Sequence, residues 1–277
     1  MTGTGRRPAL RLDLLAGHGV LLLLSLLALF PLFWMFVTSL KPANAIFDGA
    51  LLPLAPTLEH YAYVWRAIPI GRMLLNTFQM ALLQTGAQLL TSLLAGYAFG
   101  RWSFRGDRLL LLLFVSTWLV PFQATMIPNY VLLARMGLLN TVWAVVLPQV
   151  TAAFSVLLLR QYVKGFPREL LDAARVDGAG SWRTLWAVVV PNLRAPLAAL
   201  GILLFISGWN EYFWPLLVIN RLEASVVQVG LQMFLTAEGD QWGPLMAAAA
   251  IASLPVLVVY VLLQRQVIAA FVRSGLR

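Results

Sequence analysis

Six long apolar blocks, separated by short polar segments, organise this chain: residues 14–37, 73–99, 109–127, 139–159, 195–219 and 244–263. Each reaches the roughly 20 residues a helix needs to cross a hydrocarbon core about 30 Å thick. The first is interrupted only by His18 near its start and is longer than the core of a signal peptide. No small-residue cleavage site follows it, so it is expected to remain as a first span. The pattern predicts an all-α polytopic membrane protein with six transmembrane helices. A tail of residues 1–13 precedes a membrane domain of residues 14–264, and a tail of residues 265–277 follows it. The longest polar interruptions are residues 38–72, with a short helix expected around 58–67, and residues 165–192.

Composition agrees and excludes other classes. Over 277 residues the hydrophobic share is 60% and the charged share 11%, too apolar for an ordinary soluble domain. The net charge of +9 is spread over short loops and not gathered into a basic stripe with exposed aromatics, so it points to membrane topology and not to nucleic acid. With no cysteine, disulfides, thiolate metal sites and thiol nucleophiles are absent. His18 and His60 lie in different segments, which leaves no paired metal-ligand spacing.

Basic residues orient the spans. With the N-terminus in the cytoplasm, the inner segments hold Arg6, Arg7 and Arg11, then Arg101, Arg105 and Arg108. Arg160, Lys164, Arg168, Arg175, Arg183 and Arg194 follow, and finally Arg265, Arg273 and Arg277. The outer segments hold only the other five of the 20 basic residues: Lys41, Arg66, Arg72, Arg135 and Arg221. Both termini and residues 165–192 are therefore expected in the cytoplasm, beneath a plasma membrane.

Residues 165–192, GFPRELLDAARVDGAGSWRTLWAVVVPN, are too polar for hydrocarbon. Pro167 suits a first helical turn, and Glu169 suits the positive end of the helix dipole. The cluster Asp177-Gly178-Ala179-Gly180 ends that helix, because glycine permits the positive φ of a sharp turn. A second helical run from Ser181 is expected to stop before Pro191. Small Ala173 and Ala174 leave room for an approaching surface, with Arg168, Asp172, Arg175 and Asp177 available for polar contacts around them.

The run Asp172-Ala173-Ala174, three residues, Gly178, nine residues, then Val188-x-Val190-Pro191 resembles the EAA loop of the membrane subunits of ABC importers. Asp172 stands for the usual glutamate, and valines for the isoleucine and leucine. Flanking Pro167, Glu169, Arg175 and Asp177 are similar to the carbohydrate-uptake branch, which includes maltose and glycerol 3-phosphate permeases. So are Thr38-Ser39-Leu40-Lys41-Pro42, Leu94-Ala95-Gly96-Tyr97-Ala98-Phe99 with the GRWSFRGDR loop after it, Pro121, Pro128 and Gly137-Leu138-Leu139-Asn140-Thr141. The resemblance implies that Glu169, Asp172, Ala173, Ala174, Arg175, Asp177, Gly178 and Pro191 couple the spans to an ATPase. It further implies a second homologous permease subunit, two ATP-binding subunits docked on the loop, and an extracytoplasmic solute-binding protein. ATP and Mg would sit on the ATPase; no cofactor is expected on this chain, which has no G-x-x-x-x-G-K-[ST] phosphate loop.

Within the blocks, Glu211 is the only acidic or basic residue, and a carboxylate at mid-bilayer costs about 2.5 to 3.5 kcal/mol on insertion scales. Its segment, Trp209-Asn210-Glu211-Tyr212-Phe213-Trp214-Pro215, is similar to a stretch lining the path in sugar-importer permeases. That likeness implies hydrogen bonds from Asn210 and Glu211 to a polyol, with Trp209, Tyr212 or Trp214 as a flat surface for a sugar ring. The competing reading places Glu211 at the outer interface among belt aromatics; the sequence leaves both open. Asn76, Gln79, Gln84, Gln88, Gln123 and Asn129 are expected to join helices by hydrogen bonds.

Other classes fit less well. A stand-alone secondary transporter commonly shows an internal repeat and several intramembrane charges, and an embedded enzyme needs a constellation that a single carboxylate does not make. Among solutes, a neutral sugar or polyol comes first. The segments Arg72-Met73-Leu74-Leu75-Asn76 and Trp209–Tyr212 are also similar to permeases for the anion glycerol 3-phosphate.

Overall fold

The computed structural model describes residues 7–235, 239 and 241–275, with side chains described over 16–235, 239 and 241–265. Arg6 and Arg277 of the predicted inner clusters lie outside the described residues, as do the side chains of Arg7, Arg11 and Arg273. All regular structure among the described residues is helical.

The helices are α1 (Arg7–Ser39), α2 (Glu59–Ala67), α3 (Ile70–Arg101), α4 (Asp107–Ser116), α5 (Phe122–Arg135), α6 (Val142–Val146) and α7 (Ala153–Lys164). Then come α8 (Arg168–Val176), α9 (Ser181–Thr184), a π-turn (Leu185–Val189), α10 (Val190–Asn192), α11 (Arg194–Trp209), α12 (Phe213–Val218), α13 (Val227–Gln232) and α14 (Trp242–Gly275). The chain divides into two compact units, Met1–Ala67 with Met233–Ile251, and Ile68–Gln232 with Ala252–Arg277.

Two helical stretches, Ala16–Ser39 and Trp242–Arg265, are each long and apolar enough to cross a membrane. Three bent pairs bring the number to as many as five. Two of the pairs fall in predicted blocks that the sequence treats as single spans. The block 109–127 breaks between α4 with its following 3-10 turn and α5, at 93°, and the block 139–159 breaks between Leu147–Gln149 and α7, at 51°. The block 195–219 is likewise interrupted, at residues 210–212 between α11 and α12. Helix α3 is long enough, at 32 residues, but its amides and hydroxyls lower its hydropathy.

Those polar side chains explain where α3 sits. Its buried stripe recurs every three or four residues and includes Thr77, Gln84, Gln88 and Ser92. Gln84 donates to Gln149 Oε1 (3.0 Å), and Gln88 and Thr91 donate to the carbonyls of Gln149 (2.7 Å) and Val150 (2.8 Å), at the break before α7. Carbonyls freed by an interrupted helix thus find donors on a neighbouring one, as a non-aqueous setting demands. α3 packs most extensively on α7 and α11.

Glycine makes the α3–α7 approach possible. A Cβ on Gly96 would lie 3.0 Å from Arg160 N, and one on Gly100 2.7 Å from Val163 Cγ1. This Gly-x-x-x-Gly spacing is a recurrent small-residue device for close helix packing in membranes. Around it Leu93, Tyr97, Leu159, Val163, Phe166, Leu171, Leu185, Val189, Leu193 and Leu200 form one apolar cluster. A second cluster joins Met80, Met126, Leu133, Val145, Trp214 and Val218.

In the first unit, residues 40–59 form a knotted loop. Lys41, fully buried, donates to Asp48 Oδ1 (2.8 Å) and to the Ala50 carbonyl (2.6 Å), with its Nζ 5.5 Å from the centre of the Trp34 ring. Thr57 N–H donates to the Leu40 carbonyl (2.8 Å), His60 Nε2 to the Lys41 carbonyl (2.9 Å), and Ala43 N–H to Glu59 Oε1 (3.0 Å). The expected short helix near 58–67 is α2.

Candidate functional site

Helix α8 starts one residue after Pro167, whose extended ψ of 124° turns the chain into it. It ends in a Schellman arrangement: Ala179 N–H donates to the Ala174 carbonyl (2.9 Å) and Gly178 N–H to the Arg175 carbonyl (3.1 Å). Gly178 has φ +71°, in the left-handed region that glycine enters without penalty.

The helix presents two contrasting faces. Leu171 and Ala174 are buried, and Leu171 joins the apolar cluster with Phe166, Leu185 and Val189. Arg168, Glu169, Asp172, Ala173, Arg175 and Val176 are exposed, Val176 at 88%. Asp177 and Gly178 extend that exposed face past the helix end. None of its charged side chains makes an ion pair among the described residues. The sequence expectation that both alanines leave room for a partner is thus corrected for Ala174, which faces inward at the spacing of Leu171; Ala173 alone is outward.

After Gly180 the chain runs helically through α9, the π-turn and α10 to Asn192, past Pro191 and not only up to it. The wider π-turn at Leu185–Val189 precedes the proline, so its ring and missing N–H are accommodated there. Pro191 is exposed. Thr184, Leu185 and Val189 face inward, while Trp182 and Trp186 are exposed with their rings edge-on at 5.7 Å. A bend of 80° at Leu193 leads into α11. Asn192 Nδ2 donates to the Val188 carbonyl (2.7 Å) and Arg194 Nε to the Pro191 carbonyl (3.1 Å) across this bend. Tyr97 of α3 donates to the Ser181 carbonyl (3.3 Å), tying the start of the second helical run to the central helix.

At the far end of α11 the structure separates the five residues grouped by sequence. Trp209 and Trp214 are buried, at 1% and 0% exposure, and donate their indole N–H groups to the carbonyls of Ala252 (3.2 Å) and Ala144 (2.9 Å). Their rings are packing elements, with Trp209 against Phe205 and Trp214 edge-on to Phe122. Asn210, Glu211 and Tyr212 occupy the break, more exposed than either tryptophan. Asn210 Oδ1 accepts from Gln228 Nε2 (3.3 Å), and Glu211 Oε1 accepts from Trp214 N–H at the start of α12 (3.2 Å). Glu211 has no cationic partner among the described residues.

Asn76, expected to join helices by hydrogen bonds, anchors the segment after α12, together with Thr77 and Asn140, which sequence reasoning missed in this role. Asn76 donates to the carbonyls of Glu223 (2.8 Å) and Ser225 (3.0 Å), Thr77 Oγ1 accepts from Val227 N–H (2.9 Å), and Asn140 Oδ1 accepts from Asn220 N–H (2.6 Å). Asn140 has φ +62°, a conformation that asparagine tolerates better than most residues. Among the described residues no cluster of three or more metal-ligating side chains occurs.

Comparison with known proteins defines the class. The family described as "Binding-protein-dependent transport system inner membrane component" matches residues 89–272, and the chain belongs to it. It is a transport component of an inner membrane and not an enzyme, and membership implies partnership with an ATPase and a binding protein. The chain is 31% identical over 264 residues to the lactose transport system permease protein LacG of Rhizobium radiobacter, covering 95% of this chain and 97% of that protein. It is 33% identical over 267 residues to the sn-glycerol-3-phosphate transport system permease protein UgpE of Yersinia pestis bv. Antiqua, covering 93% and 95%. In fold it is similar to a chain of a bacterial ABC transporter involved in the import of the acidic polysaccharide alginate. The TM-score is 0.80 at 24% identity, over 96% of this chain and 99% of that one.

Proposed function

We propose that this chain is one of two homologous permease subunits of an ABC importer, translocating a neutral sugar or polyol by alternating access, with α8 as the helix that a cytoplasmic ATPase grips. The observation that carries this is the division of α8 into a buried face rooted in the α3–α7–α11 cluster and an exposed charged face without internal partners. A load applied to Arg168, Glu169, Asp172, Arg175 or Val176 passes through Leu171 to Leu185 and Val189, and so to the spans. ATP and Mg belong on two such ATPase subunits. Six spans, both termini in the cytoplasm and solute delivery by a binding protein to the outer loops complete the reading, supported by the placement of basic residues.

On the solute path the reading keeps Asn210, Glu211 and Tyr212, and releases Trp209 and Trp214 to packing. The glycerol 3-phosphate relatives favour a second reading with an anionic solute.

The test is co-purification with the cytoplasmic ATPase subunit of the importer, followed by uptake assays. Val176→Asp and Ala173→Asp alter exposed positions only, so the folded chain persists while ATPase retention and uptake fall. Retention and uptake unchanged in both variants would refute the assignment of α8.

A further inference from the structure

The first unit holds a cavity of about 630 Å³ that the coupling and pathway residues do not use. Phe47, Tyr63 and Trp242 supply aromatic surface to its wall, and Glu59, His60 and Gln241 supply polar groups. A smaller cavity of about 220 Å³ shares Ile46, Phe47 and Trp242 with it and is also lined by Thr38. Phe47 is 80% exposed and Tyr63 46%, so both rings are open to an approaching molecule.

We propose that this cavity is a binding site for a neutral saccharide, separate from the break at Asn210–Tyr212. The volume lies within the range of small-molecule sites. Aromatic faces suit the C–H faces of a sugar ring, and the carboxylate, imidazole, amide and hydroxyl groups suit its hydroxyls. Charge argues against an anion: the one lysine nearby, Lys41, is fully buried and committed to Asp48 and Ala50, which leaves Glu59 as the charged group in the wall. A cation is less suited than a polyol. Glu59, the carboxylate in the wall, already accepts from Ala43 N–H, and Gln241 offers an amide that pairs with hydroxyls. Placing the cavity on the side where solute arrives rests on the outward orientation of residues 38–72 proposed above; the cavity itself does not.

Titration calorimetry on the chain in lipid nanodiscs, without binding protein or ATPase, reads the site directly, with lactose as probe and choline and glycerol 3-phosphate as competitors. The expected result is saturable lactose binding that Phe47→Ala weakens about fivefold, the scale of one lost aromatic contact. Gln241→Met, which removes an amide of the wall while keeping the length of the side chain, weakens it as well. Leu54→Ala, equally exposed but outside the cavity, leaves it unchanged. Unaltered melting temperatures of the variants separate lost binding from lost folding. No saturable binding, binding indifferent to both Phe47→Ala and Gln241→Met, or displacement by choline or glycerol 3-phosphate overturns the proposal. Failure of ATPase co-purification would instead refute the assignment of α8 while leaving this binding assay intact.

Discussion

The loops at residues 38–67 and 165–192 are both long, polar and rich in charge, yet they treat their charges in opposite ways. The first turns them inward: Lys41 is buried against Asp48, and Glu59 and His60 bond backbone groups of the same loop. The second turns them outward, and its hold on the protein is apolar, through Phe166, Leu171, Leu185 and Val189. A segment that satisfies its own charges is built to keep one shape. One that leaves them unpaired around an apolar root is built to be held by something else.

Four measurements break or sharpen this contrast, ordered by their effect on the chain's own stability. Lys41→Met leaves Asp48 and the Ala50 carbonyl without their donor, so hydrogen exchange in residues 43–57 should accelerate more than about tenfold, because breaking a buried pair costs far more than never having formed it. ATPase retention should be unaffected; unchanged exchange would mean that the pair is incidental. Gly178→Ala forces a left-handed conformation on a residue with a Cβ and should cost about 1 to 2 kcal/mol, seen as earlier melting together with weaker coupling. A wild-type melting curve would show that the Schellman turn is dispensable.

Neutralising the exposed charges with Asp172→Asn and Arg175→Gln should move stability by less than about 0.5 kcal/mol, as for ordinary surface positions. Retention of the ATPase should nevertheless drop, and drop further at high salt; a large loss of stability instead would place those charges in the fold. The last effect is confined to acid. Its hydrogen bond from Lys41 holds the Asp48 carboxyl below its ordinary value of 3.8. The stabilisation from that group is therefore complete above 3.8 and lost only as pH falls through the lower folded-state value. Exchange protection of residues 43–57 should stay flat from pH 8 to pH 5; a fall within that interval would mean that another group controls the loop.

Much of this was legible in the chain. Pro167, Glu169 and Gly178 marked the ends of α8, because helix termini depend on a few residues with local effects. The apolar blocks located every long helix but not the interruptions within them. A block average cannot see that Pro121 opens α5, or that the break before α7 leaves the carbonyls of Gln149 and Val150 for Gln88 and Thr91 to satisfy. Burial was hardest to foresee where chemistry invited an outside role. Trp209 and Trp214, flanked by polar residues, resembled a platform or belt, but each indole N–H had an acceptor inside the protein. Lys41 counted as an outer-surface charge by topology, and nothing local announced that Asp48 would draw it in. The Gln84 and Gln88 amides were expected to join helices, and their partner, Gln149, required the third dimension.

The elbow at Leu193 carries one more consequence. Around an 80° corner that includes a proline, amide oxygens would ordinarily be stranded, and an oily medium punishes that heavily. Here the flexible arms of Asn192 and Arg194 already tend two of them. Donors on side chains, unlike backbone N–H groups, can follow those oxygens if the angle of the corner changes, so bending there need not leave them unpaired.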